Sequence, residues 1–155
     1  MQVPFQIDFP KYDLRFRAEK GRRTVFDIIR KKYVALTPEE MVRQHLLHYL
    51  TTERQYPGSL LAIEKSLKYN TMSRRCDIVA YHQSGKAAMI VECKAPEVAL
   101  DQSVFDQAAR YNEVLKVLYL VICNGHECFC ARINFETNQI TFEQEIPLYS
   151  ALEKF

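Results

Sequence analysis

Two apolar runs, each bounded by charge, constrain this chain more than any other feature: "RRCDIVAY" at 74–81 and "AMIVECKAP" at 88–96. Both are rich in β-branched and small apolar residues, and Ser84-Gly85 between them is a turn signal, so they read as a β-hairpin. A hairpin centred there pairs Asp77 with Glu92, Val79 with Ile90 and Tyr81 with Ala88. Opposed residues share a face with Cβ atoms about 5 Å apart, and Lys94 follows Glu92 on the same parity. A one-residue slip throws Asp77 to the other face. The expected result is three charged groups meeting at one end of the hairpin.

Two carboxylates that close together are unfavourable unless a cation stands between them. Lys94 supplies one positive charge, and hard oxygen ligands also suit Mg2+ or Mn2+. The spacing alone leaves a plainer alternative open, an exposed salt bridge at a strand end.

Elsewhere the chain alternates helices and strands. "TPEE" marks a helix start, with Thr37 as N-cap, Pro38 at the first position and Glu40 three residues on as a capping box. The helix that follows carries Met41, Val42, Leu46, Tyr49 and Leu50 as its apolar stripe and stops before Pro57-Gly58. Strands are expected at 60–67, 76–82 and 87–94, then a second helix from Asp101 with Val104, Ala108, Tyr111 and Leu115 on one side. "LYLVIC" at 118–123 reads as a strand covered on both faces, and "CFCARINF" with "QITFEQEI" as a closing hairpin. Residues 1–24 read as irregular, and 25–34 as a short helix or a strand. This order predicts an α/β fold, a mixed central sheet flanked by helices. One domain is expected over 1–155, with a core at 25–125 and a hairpin and tail at 126–155.

The net charge of +2 supports no global basic field, but the charge is uneven. From Arg15 to Lys32, eight Lys/Arg face only Glu19 and Asp27. That cluster is either a solvated face or a footprint for a polyanion, with Arg22, Arg23, Lys31 and Lys32 as candidate DNA contacts. Five cysteines, an odd number sitting on apolar strands without a signal peptide, predict reduced thiols in a cytoplasmic protein. Cys123, Cys128, Cys130 and His126 lack a Cys-x-x-Cys knuckle and read as structural rather than zinc-binding. No run is apolar enough for a membrane span, and no Gly-rich phosphate loop or Gly-x-Ser-x-Gly is present.

Asp77 followed by Glu92-x-Lys94 at the end of an apolar strand resembles the PD-(D/E)XK nuclease signature. More narrowly, "FDIIRKKYVALTPEEMVRQ" (26–44), "RCDIVAY", "IVECKAP" and "FDQAARYN" (105–112), in that order, resemble the N-terminal endonuclease domain of type I restriction enzyme R (motor) subunits. The resemblance covers roughly residues 25–125 and departs at Cys76, where the signature has proline. In those enzymes a helicase motor continues the same chain, and the expectation here is a nuclease-like domain without that motor.

The resemblance implies a restriction-endonuclease-like core and a Mg2+-dependent (or Mn2+-dependent) endodeoxyribonuclease. Asp77 and Glu92 would hold the ion, with the backbone carbonyl of Cys93. Lys94 would position or deprotonate the attacking water and stabilise phosphate charge. Gln107 and Tyr111, four apart on one helix face, match a Gln-x-x-x-Tyr motif that lies beside the site; the plainer alternative makes Tyr111 core. A glutamate from the first helix commonly completes such sites, and Glu39 is favoured over Glu40 because Thr37 occupies the latter. Arg43 and Gln44 match the "PEE…RQ" pattern and either contact phosphate or pair with the glutamates. The implied partners are DNA and separately encoded motor or specificity subunits, with a homo-oligomer open and little intrinsic base reading. The competing function is a nucleic-acid-binding or assembly module that kept the fold without turnover.

Overall fold

The computed structural model of the protein describes residues 4–152. Among these, the chain forms the strands β1 (Phe5–Gln6), β2 (Phe16–Glu19), β3 (Arg22–Asp27), β4 (Lys32–Ala35), β5 (Leu61–Tyr69), β6 (Met72–Tyr81), β7 (Ala87–Cys93), β8 (Tyr119–Cys123), β9 (Glu127–Asn134) and β10 (Gln139–Glu143). Its helices are α1 (Pro38–Thr52) and α2 (Gln102–Leu115). The main sheet runs β1-β9-β8-β7-β6-β5, and β10 also pairs with β9. β7 and β8 are parallel, joined through α2, while the other pairs are antiparallel. The result is the mixed α/β sheet flanked by helices that the sequence predicts.

The two helices cover opposite faces. Val42, Leu46, Leu47 and Leu50 of α1 pack on Ile78, Ala80, Met89, Val91 and Val121. Phe105 and Ala108 of α2 pack on Val79, Ile90, Leu120, Ile122 and Phe129. Strands β7 and β8 are therefore apolar on both sides, which is why their sequences run without polar alternation.

Residues 25–34 turn out to be neither one helix nor one strand. β3 and β4 form a hairpin there, and β2 joins them as a separate three-stranded sheet. Residues 1–24 are less irregular than expected, since they contain β1 and β2. Both strands pair with partners remote in sequence or with a hairpin the local pattern leaves ambiguous.

The hairpin register is as expected for Ile78↔Val91, Val79↔Ile90 and Ala80↔Met89. A shift between Ala80 and Tyr81 then puts Tyr81 opposite Ala87 rather than the expected Ala88. A bulge of this kind strengthens the local twist next to the turn.

Candidate active site at the end of the central hairpin

Asp77 sits where β6 and β7 begin to separate. Its Oδ2 accepts a 2.8 Å hydrogen bond from the backbone N–H of Cys93, the residue between Glu92 and Lys94. The carboxylate is thus seated directly on the Glu-x-Lys segment. On the other side of Asp77, the β5–β6 ladder is interrupted at Glu64, which takes φ +52°. A non-glycine residue in that conformation costs about 1–3 kcal/mol and marks a position the surroundings impose.

α1 approaches from one side. Thr37 Oγ1 accepts from the Glu40 N–H at 3.0 Å, fixing the N-cap. The Glu40 side chain, however, turns inward, accepting from Arg43 Nε at 2.9 Å, Arg30 Nη2 at 3.1 Å and Gln44 Nε2 at 3.1 Å. Arg43 then reaches Asp77 Oδ1 with Nη1 at 3.4 Å and Glu64 with Nη2 at 3.6 Å. Behind it, fully buried Asp27 accepts from Arg30 Nε at 2.7 Å and Gln44 Nε2 at 3.0 Å. The small sheet is bolted to α1 by this network, and Arg30 also contacts Glu64.

From the other side, Arg74 donates to Glu92 Oε1 and lays its guanidinium over the Tyr111 ring, 4.1 Å from the centroid. Tyr111, Gln107, Arg110 and Met72 line a shallow depression beside it. The Gln-x-x-x-Tyr pair therefore stands next to Glu92, with Arg74 between.

The electrostatics are those of a crowded acidic corner. Burial raises the Asp77 carboxyl, against the Cys93 N–H, Arg43 and Lys94, which hold it down. Burial also raises Glu92, with the charge of Asp77 adding to it and Arg74 and Lys94 opposing. Glu39 is raised by desolvation and by Asp77, while Arg43 and Lys94 lower it. Lys94 thus faces three carboxylates, and among the described residues it makes no hydrogen bond or ion pair through its ammonium group.

Of the sequence candidates, Asp77, Glu92, Lys94, Cys93 and Glu39 are gathered at this corner, with Gln107 and Tyr111 at its rim. Arg43 and Gln44 are buried, and Gln44 is fully enclosed by Asp27 and Glu40. Their expected phosphate contact gives way to the alternative, pairing with a glutamate, because neither side chain faces solvent. Arg22, Arg23, Lys31 and Lys32 are exposed on the small sheet, with no hydrogen bond or ion pair to the corner's acids among the described residues. All five cysteines are free and buried.

Sequence reasoning missed Arg74, Glu64, Arg30 and Asp27. Arg74 left no clue, since two-residue alternation puts it on the side of β6 opposite Asp77. Glu64 left none, because nothing local asks a glutamate to take positive φ.

The donor chemistry suits a hard divalent ion: two acids disfavoured as anions by burial lie beside a backbone segment. Among the described residues no three His, Cys, Asp or Glu side chains cluster as a metal centre by themselves. The set on hand is two carboxylates plus a carbonyl, with Oε2 of Glu92 carrying no hydrogen bond to a described residue.

A mixed sheet with a helix on each face places the chain in the α/β class. Residues 38–147 match the family described as type I restriction enzyme R protein N terminus (HSDR_N), and the chain belongs to that family. In fold it is similar to a fragment assigned as an HsdR subunit of a type I restriction enzyme from Vibrio vulnificus YJ016. That likeness has a TM-score of 0.51 at 17% identity and covers 76% of this chain. The chain spans 24% of the length of that fragment. No curated protein matches the sequence.

Proposed function

We propose that the domain is a metal-dependent DNA endonuclease of the PD-(D/E)XK type. The observation that carries this reading is the bond from the Cys93 N–H to Asp77, which lodges the aspartate on the strand bearing Glu92 and Lys94. Family membership supports a role in restriction-modification.

Asp77, Glu92 and the Cys93 carbonyl would hold Mg2+ or Mn2+. When bound, such an ion supplies Lewis acidity and counter-charge for phosphodiester hydrolysis at neutral pH. Lys94, with its ammonium group unpaired among the described residues, orients the attacking water and meets negative charge growing on the phosphate. Glu39, exposed and raised by desolvation and by Asp77, would hold a proton or a water at the mouth of the corner. Arg74 and Tyr111 keep the Glu92 carboxylate oriented. DNA is the substrate, and motor or specificity subunits are its proposed partners.

The second reading is an assembly or nucleic-acid-binding module without turnover. It is favoured by the arginines themselves, since Arg43 and Arg74 already neutralise both acids. Nicking of supercoiled plasmid with Mg2+ or Mn2+ separates the two. The nuclease reading expects nicking by the wild type and loss in Asp77→Asn; equal activity in both removes the proposed site.

A further inference from the structure

We infer that the outer face of the β2–β4 sheet is a stacking platform for single-stranded DNA. The inference rests on and deepens the nuclease reading by naming unpaired DNA as what the domain grips, on the side of the small sheet turned away from α1.

Alternation along the strands divides this sheet. Asp27 and fully buried Val25 point toward α1, as the bond from Gln44 to Asp27 shows. Arg15, Arg17, Arg22, Phe26 and Tyr33 fall on the opposite side, following the pairs Phe26↔Tyr33 and Arg17↔Thr24. There the rings of Phe26 and Tyr33 meet edge to face with centroids 5.3 Å apart. Arg17 lies over Tyr33 with its Cζ 3.9 Å from the ring centre, and Arg15 over Phe26 at 5.4 Å. Neither ring packs into either core cluster of the main sheet.

The charge is one-sided. Arg15, Arg17, Lys20, Arg22, Arg23, Lys31 and Lys32 are exposed in this unit against Glu19 alone. An edge strand defended only against aggregation needs charges of either sign; on the aromatic face Arg15, Arg17 and Arg22 outnumber Glu19, with Lys20 and Lys31 at the adjoining turns and Arg23 and Lys32 on the other side, an excess that suits a polyanion. Basic side chains interleaved with aromatic rings on an open sheet are what unpaired nucleic acid requires. Bases stack on rings or on guanidinium planes, and the phosphates between them meet the cations. The Arg17 guanidinium, 3.9 Å from the centre of the Tyr33 ring and paired with Glu19 at 3.2 Å, extends the aromatic surface offered to a base. Paired bases in a duplex offer no such faces along a groove, so the platform prefers the single strand.

The test is fluorescence anisotropy with a labelled 15-nucleotide oligo(dT) and a mixed duplex of equal length, in EDTA so that no cleavage intervenes. The expected result is tighter binding of the single strand. The double variant Arg15→Gln/Arg17→Gln should bind on the order of tenfold more weakly. Its slope of log K against log salt should be shallower by about 0.7 for each phosphate no longer neutralised. Phe26→Leu/Tyr33→Leu should weaken binding by a similar factor without changing that slope; should this pair fail to fold, the surface arginine variant decides alone. Asp77→Asn should bind like the wild type; a wild type that binds the single strand without nicking plasmid, or an Asp77→Asn that nicks as well as the wild type, sinks the nuclease reading only. Equal affinity for duplex and single strand, an arginine variant that binds normally, or no binding by a wild type that still nicks plasmid, each overturns the platform.

Discussion

The guanidinium of Arg74 lies 4.1 Å from the centre of the Tyr111 ring while the same group donates to Glu92. A strand, a helix and the acid of the Glu-x-Lys segment are thereby tied through one side chain. The ring fixes the plane of the arginine, and the arginine fixes the carboxylate.

Removing Arg74 therefore moves a pKa as well as a contact. Burial raises Glu92 and Arg74 opposes it, so Arg74→Gln should raise Glu92 further. The acid limb of a pH–rate profile for plasmid nicking is expected to shift to higher pH. Tyr111→Phe should leave the limb in place because the ring face remains, whereas Tyr111→Leu should shift it part of the way. An unmoved limb in Arg74→Gln would exclude this role.

Lys94 and Glu92 should separate on two measurements. Lys94→Ala is expected to abolish nicking while retaining Mn2+ binding by calorimetry. Glu92→Gln should weaken the binding itself, on the order of tenfold or more. Identical behaviour of the two variants would mean that they do not divide the work as proposed.

Asp77 carries a cost of function that is visible in stability. Its folded pKa is raised above the ordinary 3.8, chiefly by burial. A raised carboxyl favours folding at low pH, and that contribution is lost as pH climbs from the unfolded value through the folded one. Above that window Asp77→Asn, which can still accept from the Cys93 N–H, should melt no lower than the wild type. Added Mg2+ should raise the melting temperature of the wild type alone. Calorimetric scans at about pH 7.5, above that window, with and without the ion check both.

Asp27 has the opposite sign. It is fully buried, and the hydrogen bonds from Arg30, Gln44 and the Ile29 N–H outweigh burial and lower it. Its stabilisation is present above the ordinary 3.8 and disappears as pH falls through the depressed folded value. Asp27→Ala strands Arg30 and Gln44 and should cost about 3–5 kcal/mol in urea unfolding at neutral pH. A cost within experimental error would mean the small sheet is not held by this network.

The cysteines should be inert in the native state. Burial pushes Cys76 up to about 11 and Cys130 up to about 12, leaving little thiolate at neutral pH. Thiol titration with a disulfide reagent should be slow before denaturant is added and fast after it. Rapid native labelling of several thiols would contradict the buried placement.

The central hairpin was legible because its physics is local and periodic. Val79 and Ile90 face one core and Ile78 and Val91 the other, so an odd slip would put each in the wrong core, and Asp77 follows directly beyond the last paired residues, Ile78 and Val91. The α1 start was legible for the same kind of reason, since Thr37 bonds a backbone N–H three residues away. Tyr81 missed its partner because a bulge depends on how the sheet twists, and that is not encoded in two-residue alternation.

From Thr37 onward the chain's pattern settled which segments become strands and helices, because burial of apolar side chains imposes period and parity; before it, β1 to β4 were not legible. Only the folded structure decided that Glu40, Arg43 and Gln44 are interior. Charged groups enter a core when partners meet them there, and Asp27, Arg30, Glu64 and Asp77 come from three other strands and a turn. Such pairings depend on where remote segments meet in space, which is why Arg74 found Glu92 and Tyr111 in the structure and not in the sequence.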